Sequence, residues 1–196
     1  MAGRDWERFY GFTKESPPWP LLMRAAALAP RHGQALDLGA GAGRDTRYLL
    51  EQGFIVTAVD ADPNAAAHLA ALPQDHLRIV QSSFEGFEFA AATYDLISAQ
   101  FALPFVARDR FFEVFARLKA ALAPAGVFAG QCFGMRDQWN VPGHAMTFLT
   151  RGEVEGLLSG LDIIALDEED ADGQTADGSP KHWHAFHILA RRLHIA

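Results

Sequence analysis

The chain has one cysteine, Cys132, in 196 residues. A single thiol excludes an internal disulfide framework and suits a reducing compartment. Nor is there an apolar run of the ~18 residues that a membrane span requires. The opening Met1-Ala2-Gly3-Arg4-Asp5-Trp6-Glu7 lacks the apolar core of an export signal. Together these predict a cytoplasmic protein with no membrane partner. Basic residues are also in deficit, with 17 Lys and Arg against 24 Asp and Glu and a formal net charge of −7. Attraction to a phosphate backbone depends on clustered Lys and Arg, so nucleic acid is not expected as a partner. No Pro-, Gly- or Ser-rich linker, repeat or low-complexity tract divides the chain. With 49% hydrophobic and 21% charged residues, it reads as one globular domain over 1–196, with a cap segment and helix in 1–30 and a core over 34–192.

Glycine is concentrated at one place. Ala35-Leu36-Asp37-Leu38-Gly39-Ala40-Gly41-Ala42-Gly43-Arg44-Asp45 reads as a strand, a glycine turn and a helix start, and Val56-Thr57-Ala58-Val59-Asp60 as a second strand ending in a carboxylate. Glycines without Cβ permit positive φ and let backbone N–H groups approach a ligand closely. Asp60 follows at the interval that puts an acid beside ribose hydroxyls at the end of the second strand. The dinucleotide fingerprint G-x-G-x-x-G would need glycine where Arg44 stands. The Arg44-Asp45 pair suits a ligand with a zwitterionic tail instead.

Around this turn the pattern alternates. Residues 4–29 carry Trp6, Phe9, Tyr10, Phe12 and Trp19 about Pro17-Pro18 and then a helical apolar stripe through Leu21, Leu22, Ala25, Ala26 and Leu28. Strands are predicted over 35–38, 55–59, 77–80 and 96–99, with the third and fourth buried. Helices are predicted over 45–52, from the Asp62-Pro63 cap across 63–72, and over 108–122. Thr150-Arg151-Gly152-Glu153 has capping-box spacing and opens a helix to about Leu158. Strands at 163–166 and 183–190 have no helix between them and pair as an antiparallel hairpin. The acidic run Asp167-Glu168-Glu169-Asp170-Ala171-Asp172 is expected to be a solvated, flexible turn between them. The expected fold is α/β: a seven-stranded, mostly parallel sheet, helices on both faces, closed by that hairpin.

Asp37-Leu38-Gly39-Ala40-Gly41-Ala42-Gly43-Arg44-Asp45 with Val59-Asp60 resembles the first two motifs of the class I S-adenosylmethionine-dependent methyltransferases, which are Rossmann-like. Arg44-Asp45 is similar to the tellurite-resistance-type branch. Tyr94-Asp95-Leu96-Ile97-Ser98-Ala99-Gln100 resembles that family's fourth strand, Leu122-Ala123-Pro124-Ala125-Gly126-Val127 the turn before its fifth, and Lys181 to Arg192 its last strand. The resemblance implies S-adenosyl-L-methionine as cofactor, S-adenosyl-L-homocysteine as product and a small-molecule methyl acceptor, such as a thiol, chalcogen oxyanion, carboxylate or amine. It places Gly39, Gly41 and Gly43 along the methionine part and Asp60 on the ribose, with further contacts from Asp37, Arg44 and Ala61 and an edge contact from Asp62. Ser83 stands where relatives carry an acid for the adenine amino group, so backbone contacts are expected there. Phe84 is an adenine wall or plain core. Gln100 lies between donor and acceptor, and Phe101, Leu103, Pro104 and Phe105 are a pocket wall or core packing.

No nucleophile–base triad is needed for methyl transfer, so the sequence names only candidates to close over the acceptor: Tyr10, Trp19, His144, His182 and His184, with Arg44 or Arg136 to hold an anionic group. Strand alternation sets His182 and His184 on one face and His187 on the other, so the three cannot converge on a metal and none is expected. His182 and His184 are either polar pocket lining or structural histidines. Cys132, in an apolar strand, reads as a buried thiol. A non-catalytic binding or sensor protein is the alternative function, and a nicotinamide oxidoreductase a weaker one that Arg44 and the terminal hairpin disfavour.

Overall fold

The computed structural model describes residues 6–193. Residues 1–5 of the expected cap segment lie outside the described residues. Two helices come first, α1 (Trp6–Thr13) and α2 (Pro20–Leu28), followed by β1 (Gln34–Leu38), α3 (Arg44–Glu51), β2 (Ile55–Asp60), α4 (Pro63–Ala70), β3 (Leu77–Gln81) and β4 (Tyr94–Ala99). A 3-10 turn (Leu103–Phe105), α5 (Arg108–Ala121), β5 (Leu122–Gly134), β6 (Phe148–Leu149), α6 (Arg151–Leu157), β7 (Leu161–Gln174) and β8 (Pro180–Arg192) complete the chain. The sheet runs β3-β2-β1-β4-β5-β8-β7, parallel from β3 through β5 and antiparallel in β8 and β7, with β6 paired to the end of β5. This is the expected fold class.

Strand parity divides the core. Ala35, Val56, Leu96, Val127 and Leu189 face α2 and α3, while Leu36, Leu38, Ile97, Phe128, Phe186 and Ile188 face α5 and α6. Burial on both faces explains why β1 and β4 carry apolar residues on both parities rather than in alternation. Local signals set the helix starts: Asp62 accepts from Asn64 N at 3.0 Å with Pro63 in the first turn, and Thr150 and Glu153 form the reciprocal capping box.

Two expectations are corrected. β3 is not buried: as the edge strand it is half-covered, with Arg78 exposed. The acidic run is not a turn either but the middle of β7, a strand of 14 residues paired along its length with β8. Its carboxylates are drawn into the ladder by partners the local sequence does not show. Glu168 receives His184 Nε2 at 2.9 Å and Arg151 Nη1 at 2.9 Å, and Asp170 receives Arg136 Nε at 2.7 Å and His182 Nε2 at 3.0 Å. Cross-strand pairs of opposite charge support a ladder, and acids on an outer strand discourage further strand addition.

Candidate active site

The parallel strands end on one side, where ligands of open α/β sheets bind. There β1 runs into the glycine turn, which Gly39 N and Gly43 N tie back at 2.8 Å to Val59 O and 2.9 Å to Ala40 O. Gly39 requires the absence of a side chain: its φ is +77°, and a Cβ would sit 2.4 Å from Ala102 Cβ. At the end of β2, Asp60 Oδ2 accepts from Gly41 N at 2.8 Å and Oδ1 from Asp62 N at 2.9 Å. Burial raises the Asp60 carboxyl above its ordinary range, and these N–H groups oppose the shift. A carboxylate offers about four lone-pair sites, so acceptor capacity remains for a further donor.

Over this turn lies a cavity of about 890 Å³. Of the expected cofactor residues, Gly39, Gly41, Arg44, Asp60, Ala61, Ser83, Phe84 and Gln100 line it. Two do not. Gly43, at φ +81°, is the left-handed residue capping α3 and packs towards Leu69 and Leu72. Asp37 is buried beneath the turn, taking Thr46 Oγ1 at 2.6 Å. Burial, and then the Asp45 carboxylate, push the Asp37 carboxyl up to about 7. Ser83 Oγ accepts from Gly86 N at 3.2 Å and so fastens its own turn.

Among the proposed acceptor-side residues, Tyr10 and Trp19 line the cavity. Tyr10 is buried on the outside of the turn, and burial beside Asp60 and Asp62 holds its phenol well above the usual range, so it stays neutral. Trp19 N donates to Asp45 Oδ1 at 3.2 Å, and the Arg44 guanidinium lies 4.6 Å from the Trp19 ring. Phe101 and Phe105 line the wall, whereas Leu103 and Pro104 are buried in the packing behind it.

The histidine expectations change. His182 and His184 do not reach the cavity. Asp172 and Asp170 hold His182, at 2.8 and 3.0 Å, and Glu168 together with Arg136 N holds His184, at 2.9 and 2.9 Å, all on the far face of β8. His144 lies on the connection after β5 with Nδ1 3.1 Å from Trp139 O and is not in the lining. Arg136 is taken up by Glu168 and Asp170. The other parity of β8 enters instead: Trp183 and His187 line the cavity, with Trp139 from the connection and Glu169 from β7. Sequence reasoning missed these four. The available signal was the alternation of Trp183 and His187 with the charged-partner histidines, but which parity faces the cavity depends on how β8 pairs with β5. Gln131 and His187 are register partners in that pairing.

The charged lining is one-sided. Among the described residues, Glu7, Asp45, Asp60, Asp62, Glu85 and Glu169 face Arg44 as the one cationic Lys or Arg side chain. A lining of this sign draws a cation in. Cys132 is buried with its thiol pushed up to about 12 by burial, which makes it no nucleophile at neutral pH. No group of three or more His, Cys, Asp or Glu among the described residues is arranged to hold a metal ion.

The fold and the site place the chain in a class. Residues 35–126 match the family described as a methyltransferase domain. The chain is 30% identical over 148 residues to the malonyl-(acyl-carrier protein) O-methyltransferase of Enterobacter lignolyticus, covering 71% of this chain and 58% of that one. It therefore spans less than two thirds of that relative's length. A solved structure of the Burkholderia thailandensis 1,6-didemethyltoxoflavin-N1-methyltransferase, with 1,6-didemethyltoxoflavin and S-adenosylhomocysteine bound, is 25% identical. It superposes with a TM-score of 0.65 over 89% of this chain and 79% of that one. TehB from Haemophilus influenzae, at 19% identity, shares the fold with a TM-score of 0.72 over 87% of this chain and 61% of its own. Residues 35–126 thus carry a methyltransferase domain, and the chain as a whole has the Rossmann-like fold of S-adenosylmethionine-dependent methyltransferases. No helix among the described residues is long and apolar enough to cross a membrane.

Proposed function

We propose that this protein binds S-adenosyl-L-methionine and transfers its methyl group to a small molecule, with S-adenosyl-L-homocysteine as the product. The observation that carries the reading is Asp60, facing the cavity beside a glycine turn that leaves no room for a Cβ. The residues present fit the cofactor. Asp60 keeps acceptor capacity for a ribose hydroxyl, Phe84 and Ala61 supply apolar surface for a base, and the six carboxylates suit a ligand carrying sulfonium and ammonium charges. Bound there, the cofactor supplies a methyl group already activated by the positive sulfur. The chain's own part is therefore to orient the acceptor and keep water out. Tyr10 and Trp19 cover the turn from outside, and Gln100, just after β4, lines the cavity and accepts from Gln131 Nε2 at 3.0 Å.

The acceptor classes that the family resemblance suggests are thiols, chalcogen oxyanions, carboxylates and amines. Cytoplasmic location remains part of this reading, as does the absence of a nucleic-acid partner, which the net charge of −7 supports. The test is calorimetric titration with S-adenosylhomocysteine, with NAD in a parallel cell and Asp60→Asn as the variant. Loss of charge-assisted hydrogen bonds worth ~1.5–3 kcal/mol weakens binding by about 10- to 100-fold. Equal affinity in the variant, or a preference for NAD, overturns the assignment. Tight binding without methyl transfer to any acceptor class would favour the non-catalytic alternative.

A further inference from the structure

We propose that the acceptor is a flat, π-rich small molecule with a weakly acidic O–H or N–H, and that His187, oriented by Glu169, removes its proton. This rests on the methyl-transfer reading of the same site. The proton positions follow from the hydrogen bonds. Phe101 N donates to Gln131 Oε1 at 2.7 Å, so the other end of that buried amide is its NH₂. Gln131 Nε2 donates to Gln100 Oε1 at 3.0 Å and faces His187 Nδ1 at 3.5 Å. A ring nitrogen facing an N–H group carries a lone pair, so the ring proton sits on Nε2. There it donates to Glu169 Oε2 at 2.9 Å. The result is an imidazole with its basic nitrogen on Nδ1 and a carboxylate behind it, the arrangement that lets a histidine accept a proton and be stabilised as imidazolium. The Gln131 contact is at the outer limit of a hydrogen bond, which leaves Nδ1 available to a closer donor.

The walls select the partner of this base. Phe101 holds a φ of +53°, a costly conformation for a bulky residue, fixed by the same Gln131 bond. In that position its ring meets Trp19 at 4.8 Å, Trp183 at 5.6 Å and the His187 ring at 6.0 Å, centroid to centroid. Behind them Lys181, buried and paired to Asp137 Oδ2 at 2.6 Å, lies 3.5 Å from the Trp183 ring and 4.4 Å from that of Trp139. That pair fixes the back wall. Rings set at these spacings around an open cavity favour a planar guest. A carboxylate acceptor fits poorly: it needs no base, and it meets a lining of six carboxylates and one guanidinium, which already neighbours Asp45 at 3.4 Å. An aliphatic thiol or amine leaves the aromatic surfaces unfilled.

The step balances. His187 Nδ1 takes the proton of the acceptor, and the freed oxygen or nitrogen forms a bond to the methyl carbon. The bond from that carbon to the sulfonium sulfur breaks with its electron pair passing to sulfur, and the proton leaves His187 for solvent.

The experiment uses para-nitrophenol, whose ionised form absorbs in the visible, added to protein saturated with S-adenosylhomocysteine at a pH where the free phenol is mostly neutral. The bound phenol is expected to show the phenolate band. His187→Gln should reduce that band at least tenfold while S-adenosylhomocysteine affinity, measured by calorimetry, stays within about twofold. Glu169→Gln should reduce it by a smaller factor. With S-adenosylmethionine, para-nitrophenol and a hydroxyquinoline should be methylated faster than maleate or cysteine. The His187→Gln variant should lose ~10²- to 10⁴-fold in kcat with little change in KM. Failure of the phenol to bind, binding without the phenolate band, faster methylation of maleate or cysteine, or full kcat in His187→Gln each overturns the proposal. Failure of S-adenosylhomocysteine to bind is a separate result, which removes the parent reading and this one with it.

Discussion

Replacing Asp37 by Asn tests the electrostatics beneath the glycine turn, where a carboxyl only 2% exposed sits among other acids. Burial and the charge of Asp45 lift the Asp37 carboxyl from 3.8 to about 7, against the pull of the Thr46 hydroxyl and the Arg44 charge. Below the lower limit the group is neutral in both folded and unfolded chains. Between the two limits the unfolded chain gives up this proton while the folded chain keeps it, so stability falls as pH rises and levels off above about 7. Each pH unit is worth ~1.4 kcal/mol, which makes the whole fall about 4 kcal/mol at most, shared with Asp45. Asn cannot ionise, and its amide oxygen can still accept from Thr46. The variant is expected to match the parent near pH 4 and to exceed its stability by up to about 4 kcal/mol near pH 8. Urea denaturation at steps across that range reads the difference, and two parallel stability curves would refute the reasoning. Because Asp37 lies outside the cavity lining, S-adenosylhomocysteine affinity should stay close to that of the parent.

Gly39→Ala puts a Cβ 2.4 Å from Ala102 Cβ at a φ of +77°. The strain is of order 1–3 kcal/mol and falls on the turn itself. Thermal unfolding should show the loss, and calorimetry a weaker S-adenosylhomocysteine affinity; unchanged values for both would mean that the turn tolerates a side chain. Lys181→Met takes the cation from buried Asp137, which keeps the N–H groups of Trp139 and His184 at 2.9 and 3.2 Å. Breaking one side of a buried pair costs ~3–5 kcal/mol. Adding Asp137→Asn to Lys181→Met should recover part of it in a urea titration, and a double variant no more stable than the single one would count against the pair.

Much of the cavity's glycine-turn end was legible because its determinants are local. The apolar runs of β1 and β4, the glycines that make the turn, the acid closing β2, the Asp62-Pro63 start and the Thr150 box act within a few residues of themselves. The aromatic end was not legible for the same reason inverted. Glu169, Trp183 and His187 enter the cavity through the pairing of β7, β8 and β5, which spans long stretches of chain. The acidic run illustrates the difference: by itself it is a solvated segment, and only the pairing of β8 along its length makes it a strand, with His182, His184, Arg136 and Arg151 bonding its acids.

The sequence by itself determined the class of fold and the place of the glycine turn, since helix caps, strand runs and glycine sterics are properties of neighbouring residues. Tertiary structure decided which parity of β8 faces the cavity, which histidine stands in it and which acids are paired away. The physical reason is that a strand offers two faces in strict alternation, and only its pairing in the sheet says which of them meets the ligand.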